Sequence, residues 1–170
     1  MDGVPDLTAL GVRELLQLEA SIVSELRARG LVRTNNKPLG DIAEQVVWTA
    51  RGGELAGNST KSYDLTDRQG RRIQVKAMGG RMAGRSGKFS PFRSFDFDTA
   101  VFLGFAEKTF DLVFAREIEA NLLESNVPFS AHTNGRQATA RQIEGMGLDV
   151  TTEMRDAYAT LDLRAGHRRP

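Results

Sequence analysis

The chain has 170 residues, 40% of them hydrophobic and 26% charged, which is typical of a globular domain that buries its own core. Its 23 Lys and Arg residues balance its 22 Asp and Glu residues, so the net charge of +1 carries no information about a nucleic-acid partner. The absence of cysteine excludes disulfides, zinc–thiolate sites and thiol nucleophiles. Without a long apolar run or the pattern of a signal peptide, we expect a soluble, cytoplasmic protein with no membrane contact.

The N-terminal part of the chain is predicted to be helical. Residues 7–29 carry apolar side chains at helical spacing, and Asp6 or Thr8 is a candidate cap at the start. We treat residues 1–36 as a helical extension that precedes the core of the same domain.

A second helix is predicted over residues 38–50, with Pro38 in its first turn. At about 100° per residue, Glu44 lies on the flank of its apolar stripe, whereas Asp41 points away from that stripe. We therefore expect Glu44 to reach into a cleft beside the core.

Strands are predicted in the centre of the chain. Residues 52–64 begin with a short strand and continue as a polar loop, and a hairpin follows over residues 63–77. The nearly continuous apolar runs 99–106 and 110–115 are short and rich in Val and Phe, which favours buried strands. The pattern indicates an α/β domain with a mixed central sheet flanked by helices.

The C-terminal part of the chain has weaker patterns. A short helix is predicted over residues 116–124, and a last helix over residues 151–162 is expected to be capped by a threonine. Residues 126–149 allow no assignment. We divide the single domain into a core of residues 38–125 and a C-terminal segment of residues 126–170.

The hairpin "YDLTDRQGRRIQVKA" places polar side chains on one face. A three-residue loop that ends at Gly70 puts Asp64 directly across from Gln74, with Lys76 on the same face as Gln74. A two-residue loop would instead pair Asp64 with Ile73 on the core side, where an unpaired carboxylate is costly. The three-residue register is therefore favoured.

Oxygen ligands converge on this patch of the predicted hairpin. The carboxylate of Asp64, the amide oxygen of Gln74 and, from the helix, the carboxylate of Glu44 suit Mg²⁺. Such an ion polarises a phosphodiester and lowers the pKa of its bound water. Lys76 could orient or deprotonate that water, or stabilise charge that develops on the phosphate.

These residues resemble the active-site motif of the PD-(D/E)XK nuclease superfamily. Asp64 followed by "QVK", with Glu44 upstream, is similar to the QxK variant found in Mrr-type restriction nucleases and RecB-like nucleases. The segments "LGDIAEQVV", "LAGNSTKSYDLTDRQGRRIQVKA" and "FRSFDFDTAVFLGF" also resemble a bacterial family of restriction-endonuclease-like domains, from about residue 38 onward. One departure is Tyr63, which stands where the type pattern has proline.

The resemblance implies a restriction-endonuclease-like core of the αβββαβ type and Mg²⁺-dependent DNA cleavage, with Mn²⁺ as a possible substitute. It implies that Asp64, Gln74 and the main-chain carbonyl of Val75 bind the metal, that Glu44 completes the site, and that Lys76 assists the attacking water. It further implies a homodimeric endonuclease of a restriction or phage-defence kind.

Two other segments are candidates for contact with the DNA backbone. The sequence "GNSTK" lacks the phosphate-loop pattern, so we expect no nucleotide cofactor, although its hydroxyls and lysine are typical phosphate donors. Residues 78–93 form a basic, glycine-rich stretch without an acid, whose phenylalanines we expect to pack on the sheet. The candidate DNA contacts are Ser59, Thr60, Lys61, Arg81, Arg85, Lys88 and Arg93.

Two alternatives to a nuclease remain open from the residues alone. The chain could be a nucleic-acid-binding module of the same fold that cuts weakly or not at all. It could also be a structural or interaction domain whose hairpin presents only a solvated face with one surface ion pair.

Overall fold

A computed structural model describes residues 5–28, 39–57, 62–79 and 87–165. After a 3₁₀ turn (Leu7–Ala9), the elements in chain order are α1 (Val12–Ala28), α2 (Leu39–Arg51), β1 (Glu54–Leu55), β2 (Leu65–Thr66), β3 (Arg72–Met78), β4 (Thr99–Phe105), β5 (Leu112–Glu119), α3 (Ala120–Asn126), β6 (Phe129–Ser130), β7 (Gly135–Arg136), α4 (Ala140–Glu144), β8 (Leu148–Asp149) and α5 (Thr151–Ala165).

Six of the strands form one mixed sheet in the order β1-β2-β3-β4-β5-β8. The neighbours β3 and β4 are parallel, and the other neighbouring pairs are antiparallel. The strands β6 and β7 pair separately. The predicted mixed α/β architecture, with helices flanking a central sheet, is confirmed. None of the helices in the described ranges is both long and apolar enough to cross a membrane.

One face of the sheet is covered by α1, α2 and α5. Buried residues of the helices pack there on aliphatic side chains of β3, β4 and β5, and the Phe105 ring meets the Tyr158 ring edge-on at 5.5 Å. The side chains of Ile73 and Val75 lie in this cluster, as the alternation of the hairpin predicts. Burial of these aliphatic side chains holds β3 against α2.

The opposite face is covered by an aromatic cluster rather than by long helices. Phe89, Phe92 and Phe97, from the crossover between β3 and β4, pack with Phe102 of β4. The predicted packing of the crossover phenylalanines on the sheet is confirmed, since Phe89 and Phe92 are buried. Because both faces are covered, every residue of β4 is buried, which explains its continuous apolar sequence.

The αβββαβ plan has a helix between β3 and β4. Residues 87–98, the part of this crossover next to β4 that the structure describes, contain no helix. The parallel pairing of β3 with β4 is nevertheless present, with Gln74 beside Ala100 and Lys76 beside Phe102.

The first helix is shorter than predicted. The 3₁₀ turn, which Asp6 caps by accepting the amide of Thr8 at 3.0 Å, is separate from α1. The amide of Gly11 bonds to the carboxylate of Glu14 at 2.9 Å, and α1 starts after it. The second helix lies within one residue of its predicted limits, although Pro38 is outside the described residues.

A helix is predicted over residues 116–124, and its predicted start is wrong, because β5 continues to Glu119. Two charged residues of this strand form ion pairs with distant partners: Arg116 lies 3.7 Å from Asp149, and Glu117 lies 2.5 Å from Arg51. Paired charges are tolerated in a buried strand. Their local sequence, however, is typical of the polar face of a helix.

The last helix begins where predicted and extends to Ala165. Thr151 does not cap the helix as predicted. Its hydroxyl donates to the carbonyl of Ala115 in β5 at 3.3 Å. The carboxylate of Asp149 instead accepts the amide of Thr151 at 2.9 Å. Residues 126–149, which the sequence left unassigned, form β6, β7, α4 and β8.

Candidate metal centre

The hairpin adopts the three-residue register. Leu65 pairs with Ile73, and Thr66 pairs with Arg72, which places Asp64 opposite Gln74. Gly70 has a φ of 81°, a left-handed conformation that glycine adopts without steric cost. The predicted arrangement of the hairpin is therefore confirmed.

The carboxylate of Asp64 lies against the edge of β3, directly before the start of β2. Its Oδ2 atom accepts the amide of Val75 at 2.6 Å and the side-chain Nε2 of Gln74 at 2.6 Å. Burial raises the pKa of Asp64, while the Val75 amide and the charge of Lys76 oppose that rise. Asp64 and Gln74 thus lie together on one side of the sheet edge.

The carbonyl of Val75 points toward the same place. In a strand, the N–H and C=O of one residue project to the same side, so this carbonyl faces Asp64 as its amide does. The Nε2 atom of Gln74 lies 3.4 Å from the carbonyl oxygen and 2.6 Å from Asp64 Oδ2. The side-chain amide of Gln74 therefore fills the space between Asp64 Oδ2 and the carbonyl oxygen of Val75.

Glu44 of α2 approaches this group from the helical face. Burial is the main cause that raises its pKa to about 7, and repulsion from Asp64 and then from Asp41 adds to the effect. Glu44 is half-buried and Asp41 is exposed, as the helical periodicity predicts. Two carboxylates that repel each other inside a partly buried cleft form a site that favours a cation.

Lys76 is held on the other side of Gln74 by the crossover. Its Nζ atom donates to Ser90 Oγ at 3.1 Å and to the carbonyl of Pro91 at 3.4 Å, and it lies 4.7 Å from the centre of the Phe92 ring. Burial lowers the pKa of Lys76, against the attraction of Asp64. The ammonium is thereby held near the Asp64 carboxylate.

The donor atoms fit a hard divalent cation. They are all oxygens, from Glu44, Asp64, the Gln74 amide and the Val75 carbonyl, and such oxygens are the ligands that Mg²⁺ prefers. Rotation of the Gln74 amide would exchange its nitrogen for its oxygen and aim that oxygen at the space between Asp64 and Val75. Within the described ranges, no group of three or more His, Cys, Asp or Glu side chains could hold a metal, so the amide and the carbonyl are needed here.

The candidate DNA contacts divide into two groups. Ser59, Thr60, Lys61, Arg81 and Arg85 lie outside the described residues. Of the other two, Arg93 lines a cavity beside Lys76, whereas Lys88 is exposed and its main chain pairs with Thr139.

The structure adds residues that the sequence did not single out. Ser90 and Pro91 hold Lys76, and the Ser94 hydroxyl donates to Ser62 Oγ at 3.3 Å beside the same cavity. These contacts join residues 14 to 32 positions apart, so no local pattern could reveal them. The one available signal was the acid-free composition of residues 78–93.

The raised pKa of Glu44 predicts how stability depends on pH without metal. Folded protein binds more protons than unfolded protein between the ordinary pKa of 4.5 and about 7, so Glu44 removes stability as the pH rises through that interval. Glu44→Gln should therefore raise the unfolding free energy at about pH 8 by on the order of 1 kcal/mol, after allowance for solvent screening. Little change is expected at about pH 4.5.

Urea unfolding of both proteins in EDTA measures this difference. The matched control is Glu107→Gln, which changes an exposed glutamate on the turn after β4 and should have the same small effect at both pH values. An effect of Glu44→Gln that is equal at the two pH values would contradict a raised pKa of Glu44 in the folded chain.

Comparison of the chain with protein-family models finds no matching family. Comparison with curated proteins finds no match either. The functional interpretation therefore depends on the residues and on their geometry.

Proposed function

We propose that this chain is a metal-dependent nuclease with a restriction-endonuclease-like core. One observation carries the proposal: the side chains of Asp64 and Gln74 meet across the hairpin beside the Val75 carbonyl, with Glu44 on one side and Lys76 on the other. This set combines oxygen ligands for a divalent cation with a fixed ammonium group. A solvated surface hairpin does not require either.

Each group has a role in phosphodiester hydrolysis. Glu44, Asp64, Gln74 and the Val75 carbonyl would hold Mg²⁺, which when bound polarises the phosphodiester and lowers the pKa of a coordinated water. The Lys76 ammonium lies where it can stabilise negative charge on the phosphate. Because burial lowers its pKa, Lys76 also gives up a proton more readily than an exposed lysine and can then accept one from the attacking water.

We propose DNA as the substrate and an endonuclease of a restriction or phage-defence kind as the biological role. Mn²⁺ is expected to replace Mg²⁺, because both accept oxygen ligands. A cytoplasmic location and action as a homodimer, in which each copy cuts one strand of a duplex, complete the proposal.

A second candidate is a nucleic-acid-binding module of the same fold with weak or no cleavage. Gln74 favours this reading, because an amide brings no negative charge to the metal centre and its NH₂ group already bonds to Asp64. A centre with fewer charges holds a divalent cation less tightly.

Incubation of the purified protein with supercoiled plasmid DNA distinguishes these functions. The nuclease proposal expects nicked or linear DNA with Mg²⁺ and intact DNA with EDTA. Retarded but uncut DNA in a gel would favour the binding module. If neither cleavage nor retardation occurs with DNA or RNA, both proposals are wrong.

A further inference from the structure

A cavity of about 300 Å³ lies beside the candidate metal centre, between β3 and residues 90–94 of the crossover. Gln74 and Lys76 line it from the sheet, and Ser90, Arg93 and Ser94 line it from the crossover. Its remaining lining is Pro91 and Phe92, so no acidic residue faces it among the described residues.

Two cations face this cavity. The Lys76 ammonium is fixed by its contacts with Ser90 and Pro91. Arg93 is exposed, and its guanidinium makes no hydrogen bond or ion pair to any residue in the described ranges. Lys76 and Arg93 line the same cavity, so the two like charges face a common space. An anion between them would relieve their repulsion.

Hydroxyl groups complete the lining. Ser90 Oγ accepts a hydrogen bond from Lys76, which leaves the hydroxyl proton of Ser90 available for donation. The Ser94 hydroxyl lies at the other side, bonded to Ser62. Short hydroxyls, lysine and arginine are the usual donors to phosphate oxygens in nucleic-acid complexes.

Two other cavities have acidic as well as basic side chains in their lining. A cavity of about 650 Å³ between α2, β5 and α5 is lined by arginines but also by Glu117, Glu119 and Glu153. A cavity of about 490 Å³ near the start of α5 combines Arg116 and Arg155 with Glu144 and Asp149. Because acids balance the arginines in both, neither favours an anion.

We propose that the cavity between β3 and residues 90–94 binds one phosphate group of the DNA strand, next to the phosphodiester that is cleaved. This inference rests on the proposed function for its ligand, since the cavity shares Gln74 and Lys76 with the metal centre. Arg93 supplies a positive charge from the crossover, and Ser94 supplies a hydroxyl donor.

Binding of a short fluorescein-labelled DNA duplex, measured by anisotropy in EDTA, tests the cavity without cleavage. Loss of one phosphate contact should reduce the slope of log Kd against log salt concentration by about 0.9, measured between about 50 and 200 mM KCl. We expect this reduction for Arg93→Ala, with affinity weakened by roughly 10-fold at the lowest salt. Ser94→Ala should weaken binding by a few-fold without changing the slope, because it removes no charge.

The matched control is Lys108→Ala, which removes an exposed cation from the turn after β4, near the place where Gln17 of α1 bonds to Thr109. It should bind DNA like the unmodified chain. If Arg93→Ala has the affinity and salt slope of Lys108→Ala, the phosphate site is wrong, and undetectable binding by the unmodified chain would also overturn it.

The two proposals fail separately in these measurements. Metal-dependent cleavage together with an unchanged salt slope in Arg93→Ala would overturn the phosphate site and leave the nuclease. A reduced slope in a chain that does not cut would overturn the nuclease and retain the cavity as a DNA-binding site.

Discussion

Asp64→Asn should lower the rate of metal-dependent cleavage of plasmid DNA by about 100-fold to 10,000-fold relative to the unmodified chain. The change removes a charged ligand from the centre, while its remaining side-chain oxygen can still accept the Val75 amide that Asp64 accepts at 2.6 Å. The fold should therefore persist. Lys76→Met, which keeps the length of the apolar stem and removes the ammonium, should cause a loss of similar size.

A second readout separates a damaged centre from a damaged fold. Because Asp64 contributes to the raised pKa of Glu44, Asp64→Asn should move that pKa down from about 7, as measured by NMR titration of the Glu44 carboxyl. Asp111→Asn, on an exposed aspartate beside Arg13, is the matched control and should leave cleavage and this pKa unchanged. Full cleavage by Asp64→Asn would show that the centre is not catalytic.

Glu117→Ala should destabilise the fold by about 3 kcal/mol, because it leaves the partly buried Arg51 without its main partner. Glu117 is 6% exposed and joins three parts of the chain. Its carboxylate lies 2.5 Å from Arg51 at the end of α2 and 3.4 Å from Arg71 after the hairpin turn. Arg51 would keep Glu153 of α5 at 2.8 Å, which limits the loss.

Urea unfolding at neutral pH measures this effect. Glu119→Ala is the matched control, since it changes an exposed glutamate of the same strand that makes no side-chain bond to α3, and its cost should stay below about 0.5 kcal/mol. Equal, small costs for the two variants would show that Glu117 does not connect α2 and the hairpin to β5.

The hairpin and its facing side chains could be predicted because their causes are local. The loop that ends at Gly70 sets the register, and the aliphatic side of β3 has to be buried, which together place Asp64 opposite Gln74. The position of Glu44 follows from helical periodicity on α2. These features depend on residues within one helix or one hairpin.

The remaining features depend on contacts between distant parts of the chain. β5 continues through Arg116 and Glu117 because Asp149 and Arg51 neutralise them, and no local pattern contains those partners. The surroundings of Lys76 come from the crossover, 14 to 15 residues later. The short elements between residues 126 and 149 are fixed by their packing on the sheet, since their own length is insufficient to stabilise them.

The aromatic cover of the sheet also links the surroundings of Lys76 to local unfolding. The amides of Phe89 and Phe92 bond to the carbonyls of Ala138 and Arg136, so the crossover is tied to the segment around β7 and α4 as well as to the sheet. We expect this patch to open as one cooperative unit, at a lower free energy than global unfolding. Each opening would rehydrate the ammonium of Lys76 and return its pKa toward that of an exposed lysine. The proposed cleavage activity would then be lost on heating before the helical side of the sheet melts, and hydrogen exchange at Phe89 and Phe92 would report the same event.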